Sequence, residues 1–206
     1  MRRRLMMQRN ILPDQYQQVE YLASTGKQCI NTGVYHNNST GFSVTFNANR
    51  STLSSVEGVV GANFNSGNRL SCNPQNNYIN AGFANRNNEI FTDVVLTAKN
   101  NVKVNYFNER TIYLNDVLKH TIIDNITGTS PYPLLLFALY WNLNVARYFF
   151  TGYLYECIIT QGEEIIRDFI PCYIKSTGKP GMYDIVNGRF YTNYGTGEFI
   201  VGPDVR

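Results

Sequence analysis

The side chains in this 206-residue chain that could do acid–base, nucleophilic or metal chemistry are two histidines, four cysteines and fifteen acids. Their spacing supplies little of that chemistry. His36 and His120 stand apart, and neither lies beside a Ser or Cys in the sharp turn of a nucleophile elbow. Cys29, Cys72, Cys157 and Cys172 form no C-x-x-C pair and have no histidine at zinc-ligand spacing, so they read as reduced, buried thiols. Carboxylates that cleave a glycosidic bond from one strand must sit at alternate positions to face the same cleft. Glu163 and Glu164 are adjacent and point apart, while Glu109 and Asp116 are isolated. Asp93, Asp116 and Asp124 lack the clustering of a calcium site. Gly26-Lys27 and Gly178-Lys179 lack the upstream glycine and the following Ser or Thr of a phosphate loop. The expectation is no catalytic residue, no metal ligand and no cofactor.

Binding chemistry is better supplied. Sugar rings are held by an aromatic face against their apolar side, with planar amides and guanidinium groups reading the hydroxyls. The only tryptophan lies in Tyr140-Trp141-Asn142-Leu143-Asn144, directly after a long apolar run and close to Arg147. Tyr140, Trp141, Asn142, Asn144 and Arg147 are therefore expected to form a polar-aromatic contact surface for carbohydrate or for a partner. A core position for Trp141 is the competing reading, since sandwiches bury their aromatics.

The elements that must carry such a surface are strands. Aromatics are 14% of the chain and charged residues 16%, with Asn and Gly punctuating β-branched and aromatic runs, a composition that disfavours helices. Phe42-Ser43-Val44-Thr45-Phe46 alternates strictly and reads as a half-buried strand. Thr111–Leu114 and Val117–Ile123 flank Asn115-Asp116 as a hairpin, and Tyr153–Thr160 and Glu164–Ile170 flank Gln161-Gly162-Glu163 as another. Leu134–Leu139 reads as one strand covered on both faces. Roughly a dozen strands at the ~8–12-residue spacing of sandwiches and barrels give an all-β antiparallel β-sandwich of jelly-roll type. The domain is expected over residues 13–206, preceded by a basic arm over 1–12.

Net charge is +3, but Arg2, Arg3, Arg4 and Arg9 supply four of the 18 basic residues, leaving 14 against 15 acids, or −1, for the body. A body of that charge is not expected to bind nucleic acid. The arm, with Leu5, Met6 and Met7 beside its arginines, reads as an assembly anchor that orders against an acidic groove of another subunit. It lacks the apolar stretch of a secretory signal, and no run approaches the ~18–20 residues of a membrane-spanning helix, so neither export by that route nor a membrane partner is expected.

Val19–Val34 (V-E-Y-L-A-S-T-G-K-Q-C-I-N-T-G-V) and Ile165–Pro203, ending G-M-Y-D-I-V-N-G-R-F-Y-T-N-Y-G-T-G-E-F-I-V-G-P, resemble a family of laminin-G-like, concanavalin-A-like jelly-roll domains. These occur in tail, fibre and head-decoration proteins of phages of gut bacteria and in surface proteins of those bacteria. The resemblance runs from about Leu12 to Val205 and implies that the first and last strands meet, with Tyr21, Ile30, Phe190, Tyr191 and Phe199 in a shared core. It implies a non-enzymatic phage virion structural protein, a head-decoration, fibre or tail-associated subunit assembled in the host cytoplasm. Its partners would be other virion proteins, further copies of itself in a homo-oligomer, and a host surface glycan. The alternative is a carbohydrate-binding host-recognition module or a lectin-like module of the bacterial cell surface.

Overall fold

A computed structural model describes residues 12–48, 56–62, 69–73, 76–83, 86–105, 110–121, 129–140 and 146–206, the side chains of 83 and 86–89 excepted. Every regular element among them is a strand, so no helix there is long and apolar enough to cross a membrane. In chain order they are β1 (Tyr16–Gln18), β2 (Leu22–Thr25), β3 (Ile30–Tyr35), β4 (Thr40–Asn47), β5 (Glu57–Gly61), β6 (Arg69–Asn73), β7 (Tyr78–Phe83), β8 (Arg86–Phe91), β9 (Asn100–Asn105) and β10 (Thr111–Leu114). They continue with β11 (Val117–Thr121), β12 (Pro133–Leu136), β13 (Leu139–Tyr140), β14 (Ala146–Arg147), β15 (Thr151–Gln161), β16 (Glu164–Ile174), β17 (Pro180–Asp184), β18 (Arg189–Tyr191) and β19 (Ile200–Val201).

Two antiparallel sheets pack face to face. The larger has the order β11-β10-β9-β4-β15-β16-β17-β18, with β1 on β16 and β2 between β15 and β19; the smaller has the order β3-β12-β5-β6-β7-β8. The strict alternation in β4 does what the pleat requires. Phe42, Val44 and Phe46 are buried and pair across β9 with Val104, Val102 and Asn100. They meet Ile30, Val60, Leu70, Ile79, Leu134 and Leu136 from the smaller sheet in one apolar cluster. Phe150 closes the layer edge-on to Phe46, with ring centroids 5.9 Å apart.

Both expected hairpins form, since each has a turn the chain can make. Asn115 and Asp116 adopt φ of 51° and 65°, the left-handed pair of a two-residue hairpin, and Gly162 turns β15 into β16 at φ 63°. The apolar run 134–139 is buried throughout but is not one strand. Phe137 sits at φ 65° and breaks it into β12 and β13, its amide donating to the Val59 carbonyl at 2.9 Å. An all-apolar sequence carries no mark of such a break.

The ends meet as the sequence motifs imply. β19 pairs with β2, and Val19 bridges Asp204. Ile30 and Phe199 lie in the main core with Tyr191 packed against it. Tyr21 and Phe190 do not. Tyr21 stacks on Tyr153 at 4.5 Å, and Phe190 joins Tyr16 and Tyr183 in a separate cluster that also buries Leu12. Arg167 pairs not with its neighbour Asp168 but with the fully buried Asp184, its Nε lying 3.4 Å from Oδ2. The other carboxylate oxygen accepts from the amides of Asp168 and Val186, each at 3.0 Å. The same Nε donates to the Thr32 carbonyl of β3 at 3.4 Å. Arg167, paired with Asp184 within the larger sheet, therefore reaches the smaller sheet through its bond to Thr32.

Candidate functional site

β3 is an edge strand of the smaller sheet, and its sequence Ile-Asn-Thr-Gly-Val-Tyr sorts by the pleat. Ile30, Thr32 and Val34 are buried; Gly33 and Tyr35 are exposed, and Asn31 is half-buried. The pairing with β12 slips between Tyr35 opposite Pro133 and Asn31 opposite Leu135, which is a bulge. The bulge is built from side chains as well as backbone. Thr32 Oγ1 donates to the Leu134 carbonyl at 2.8 Å and accepts from the Val34 amide at 3.1 Å, while Asn31 Oδ1 accepts from the Gly33 amide at 2.9 Å. Gly33 takes φ 69°, where side chains are disfavoured, and nothing lies within 4 Å of where a Cβ would be. The outer side of β3 is thus a bare stretch of backbone between Asn31 and Tyr35, about 13 Å long at ~3.3 Å per residue.

A turn from the far end of the chain frames the other end of this stretch. Asn193 Oδ1 accepts from the Cys29 amide at 3.0 Å and from the Gly195 amide at 2.8 Å, and its Nδ2 donates to the Gly197 carbonyl at 2.8 Å. The Tyr194 amide donates to the Cys29 carbonyl at 2.7 Å, and the Thr196 amide to the Lys27 carbonyl at 3.0 Å. Gly195 is required here because a Cβ would overlap that carbonyl. Five bonds therefore hold Tyr194 in place. Tyr35 is 60% exposed and Tyr194 58%, and neither ring stacks on another aromatic among the described residues.

Near both is Tyr140, only 2% exposed, in a small cluster with Cys29, Leu135 and Ala138 and 5.2 Å from the Tyr132 ring. Burial, with the phenols of Tyr194 and Tyr35 and the Cys29 thiol nearby, pushes its hydroxyl up to about 12. Burial also pushes the Cys29 thiol up to about 12.

Of the residues singled out in the sequence, Tyr140 thus supports the site from beneath rather than facing solvent. Arg147 is exposed but turned elsewhere. In the β13–β14 ribbon Tyr140 pairs with Ala146 and Leu139 with Arg147, and directly paired residues share a face, so Arg147 lies on the opposite face from Tyr140. Trp141, Asn142 and Asn144 are outside the described residues, as are the arm residues Arg2, Arg3, Arg4, Leu5, Met6, Met7 and Arg9. Tyr35 and Tyr194 were missed. The signals for them were an isolated glycine inside an alternating strand, which marks a bulge, and a tyrosine set between turn residues in Asn193-Tyr194-Gly195.

Two other surfaces are less suited to a ligand. On the outer face of the larger sheet Tyr21, Tyr153 and Tyr155 cover one another, Gly202 packs on the Tyr21 ring, and Lys99 Nζ lies 4.0 Å above Tyr155. Those ring faces are already occupied. On the outer face of the smaller sheet Arg69, Ser71, Asn73 and Asn80 form a polar row, all buried. The Arg69 guanidinium lies flat over Gly82, where a Cβ would be 2.6 Å from Cζ. Among the described residues no group of three or more His, Cys, Asp or Glu is placed to hold a metal ion.

No protein-family model and no curated protein matches the chain. Solved structures do. A protein of Bacteroides ovatus ATCC 8483, provisionally described as carbohydrate-binding, superposes with a TM-score of 0.63 at 12% identity over 92% of this chain. The chain spans 62% of that protein's length. The CBM40 module of the Ruminococcus gnavus IT-sialidase, solved with α2,3-sialyllactose, superposes with a TM-score of 0.52 at 10% identity over 72% of this chain and 92% of the module. At these identities the shared property is architecture: the chain has the all-β antiparallel jelly-roll sandwich of these carbohydrate-binding neighbours.

Proposed function

We propose that the protein is a carbohydrate-binding module whose ligand lies along the outer side of β3, between Tyr35 and Tyr194. The observation that carries this reading is the presence of two tyrosines, each more than half exposed, beside a bulged strand whose outward position between Asn31 and Tyr35 is the bare Gly33. Among the aromatic side chains described, Tyr35 and Tyr194 are the two mostly in water, the others being buried or half-buried, and covering such rings with a ligand is favourable. An aromatic face with an adjacent amide suits a sugar ring, whose faces are apolar and whose rim is hydroxylated. Two fold neighbours described as carbohydrate-binding support the same reading. Of the two functions implied by the sequence resemblance, the carbohydrate-binding alternative therefore has observations in its favour, and the virion structural role has none. A glycan array probed with the folded chain tests it: retention on defined glycans is expected, and retention on none would refute it.

A further inference from the structure

We infer that the Tyr35–Tyr194 platform is selective for uncharged sugar rings, a neutral glycan of more than one residue, and does not recognise a carboxylate, sulfate or phosphate group. This rests on the carbohydrate-binding reading and specifies its ligand. Recognition of an acidic sugar calls for a guanidinium fork or an ammonium at the site. The described groups at this site are of another kind. Tyr35, Tyr194, Tyr132 and Tyr140 are phenols, Asn31 and Asn193 are amides, and Cys29 is a buried thiol. The groups that act on the Tyr140 hydroxyl, near both exposed rings, are Tyr194, Cys29 and Tyr35, all uncharged at neutral pH.

The two arginines nearby are committed or turned away. Arg167 reaches β3 from the core side, where it donates to the Thr32 carbonyl and pairs with Asp184. Arg147 occupies the far face of the β13–β14 ribbon. Lys27 enters the frame through its backbone carbonyl, which accepts from Thr196, while its side chain is exposed at that end, so any part its ammonium takes is read by the salt comparison below. The length of the platform matters as well. Tyr35 ends a strand segment about 13 Å long at ~3.3 Å per residue, and the backbone of Tyr194 is bonded to Cys29 beyond its other end, a span that suits a chain of sugars better than a single one.

The test is binding of the intact chain to a panel of neutral and acidic glycans matched in their neutral part, at low salt and at about 1 M salt, where the screening length falls to ~3 Å. Tyr35→Ala, Tyr194→Ala and the corresponding Phe variants are measured beside the wild type. Expected are retention of neutral glycans, affinity unchanged by salt, an about tenfold loss for each Ala variant, equal to ~1.4 kcal/mol, and near-wild-type binding by the Phe variants. Binding that requires the acidic group and weakens with salt, yet is lost in the Ala variants, would overturn the neutral-ligand inference while leaving the platform in place. Binding that survives both Ala substitutions would overturn the assignment to this platform. Retention of no glycan would overturn both the inference and the carbohydrate-binding reading. Since both tyrosines are largely in solvent, thermal unfolding of the Ala variants is expected to match the wild type, which separates loss of contact from loss of fold.

Discussion

His36 follows directly on Tyr35 at the end of β3 and is buried, with 2% of its surface exposed. Burial lowers its imidazole from 6.5 to about 4. The folded state therefore binds fewer protons than the unfolded chain between those two values. The stability this protects is fully present above pH ~6.5, falls as the pH drops, and levels off below about 4, a total on the order of 3 kcal/mol. Urea unfolding across this range is expected to show that fall in the wild type and a flatter profile in His36→Gln, whatever the substitution itself costs at pH 7. Identical profiles would show that another group sets the acid limb. The four thiols lie at the other extreme: all are buried and free, and burial raises each above the ordinary thiol range, so they are packing groups without nucleophilic character at neutral pH. That much was legible, because cysteines without spaced partners are small hydrophobes. The exposed tyrosines were not, because in a chain with 15 tyrosines nothing in the residue itself tells an outward ring from a buried one.

At the scale of elements, the hairpins were readable wherever the turn chemistry is local, as at Asn115-Asp116, where both residues accept positive φ. Features set by tertiary contact were not. Phe137 breaks an unbroken apolar run because its amide is taken by Val59 on the neighbouring strand, and the bulge in β3 depends on Leu134 receiving the Thr32 hydroxyl. The pairing of Arg167 with Asp184 rather than with adjacent Asp168 likewise depends on β16 and β17 lying side by side, with Phe169 opposite Asp184. Asp184 accepts from two amides and pairs with one guanidinium from a fully buried position, and Asp184→Ala leaves both amides without that acceptor and the guanidinium without its counter-charge. Removing one member of such a pair is expected to lower stability by about 3–5 kcal/mol, read as a shift of the denaturant midpoint at constant slope. A shift under ~1 kcal/mol would show that the pair is solvated.

For the whole molecule, the sandwich was legible and the place of the site was not, for one physical reason. Alternation and turn residues specify strands and their faces locally, whereas the platform is assembled from residues 29–35, 132–140 and 193–197, which meet only when the last strands close on the first. The same closure suggests how the chain's beginning behaves: Leu12 is the first described side chain and is already buried against Cys172 and Tyr183. Deleting residues 1–10 is therefore expected to leave the thermal midpoint of the body unchanged, and a clear drop would mean that the arm packs on it.

Whether the two exposed rings hold sugar decides the function of this protein. Isothermal titration of the tightest array-selected glycan into the wild type, Tyr35→Ala and Tyr194→Ala tests that most directly. Saturable binding by the wild type with about tenfold weaker binding by each variant, ~1.4 kcal/mol apiece, is the predicted result; equal affinity in all three proteins, with their folds intact, would contradict it.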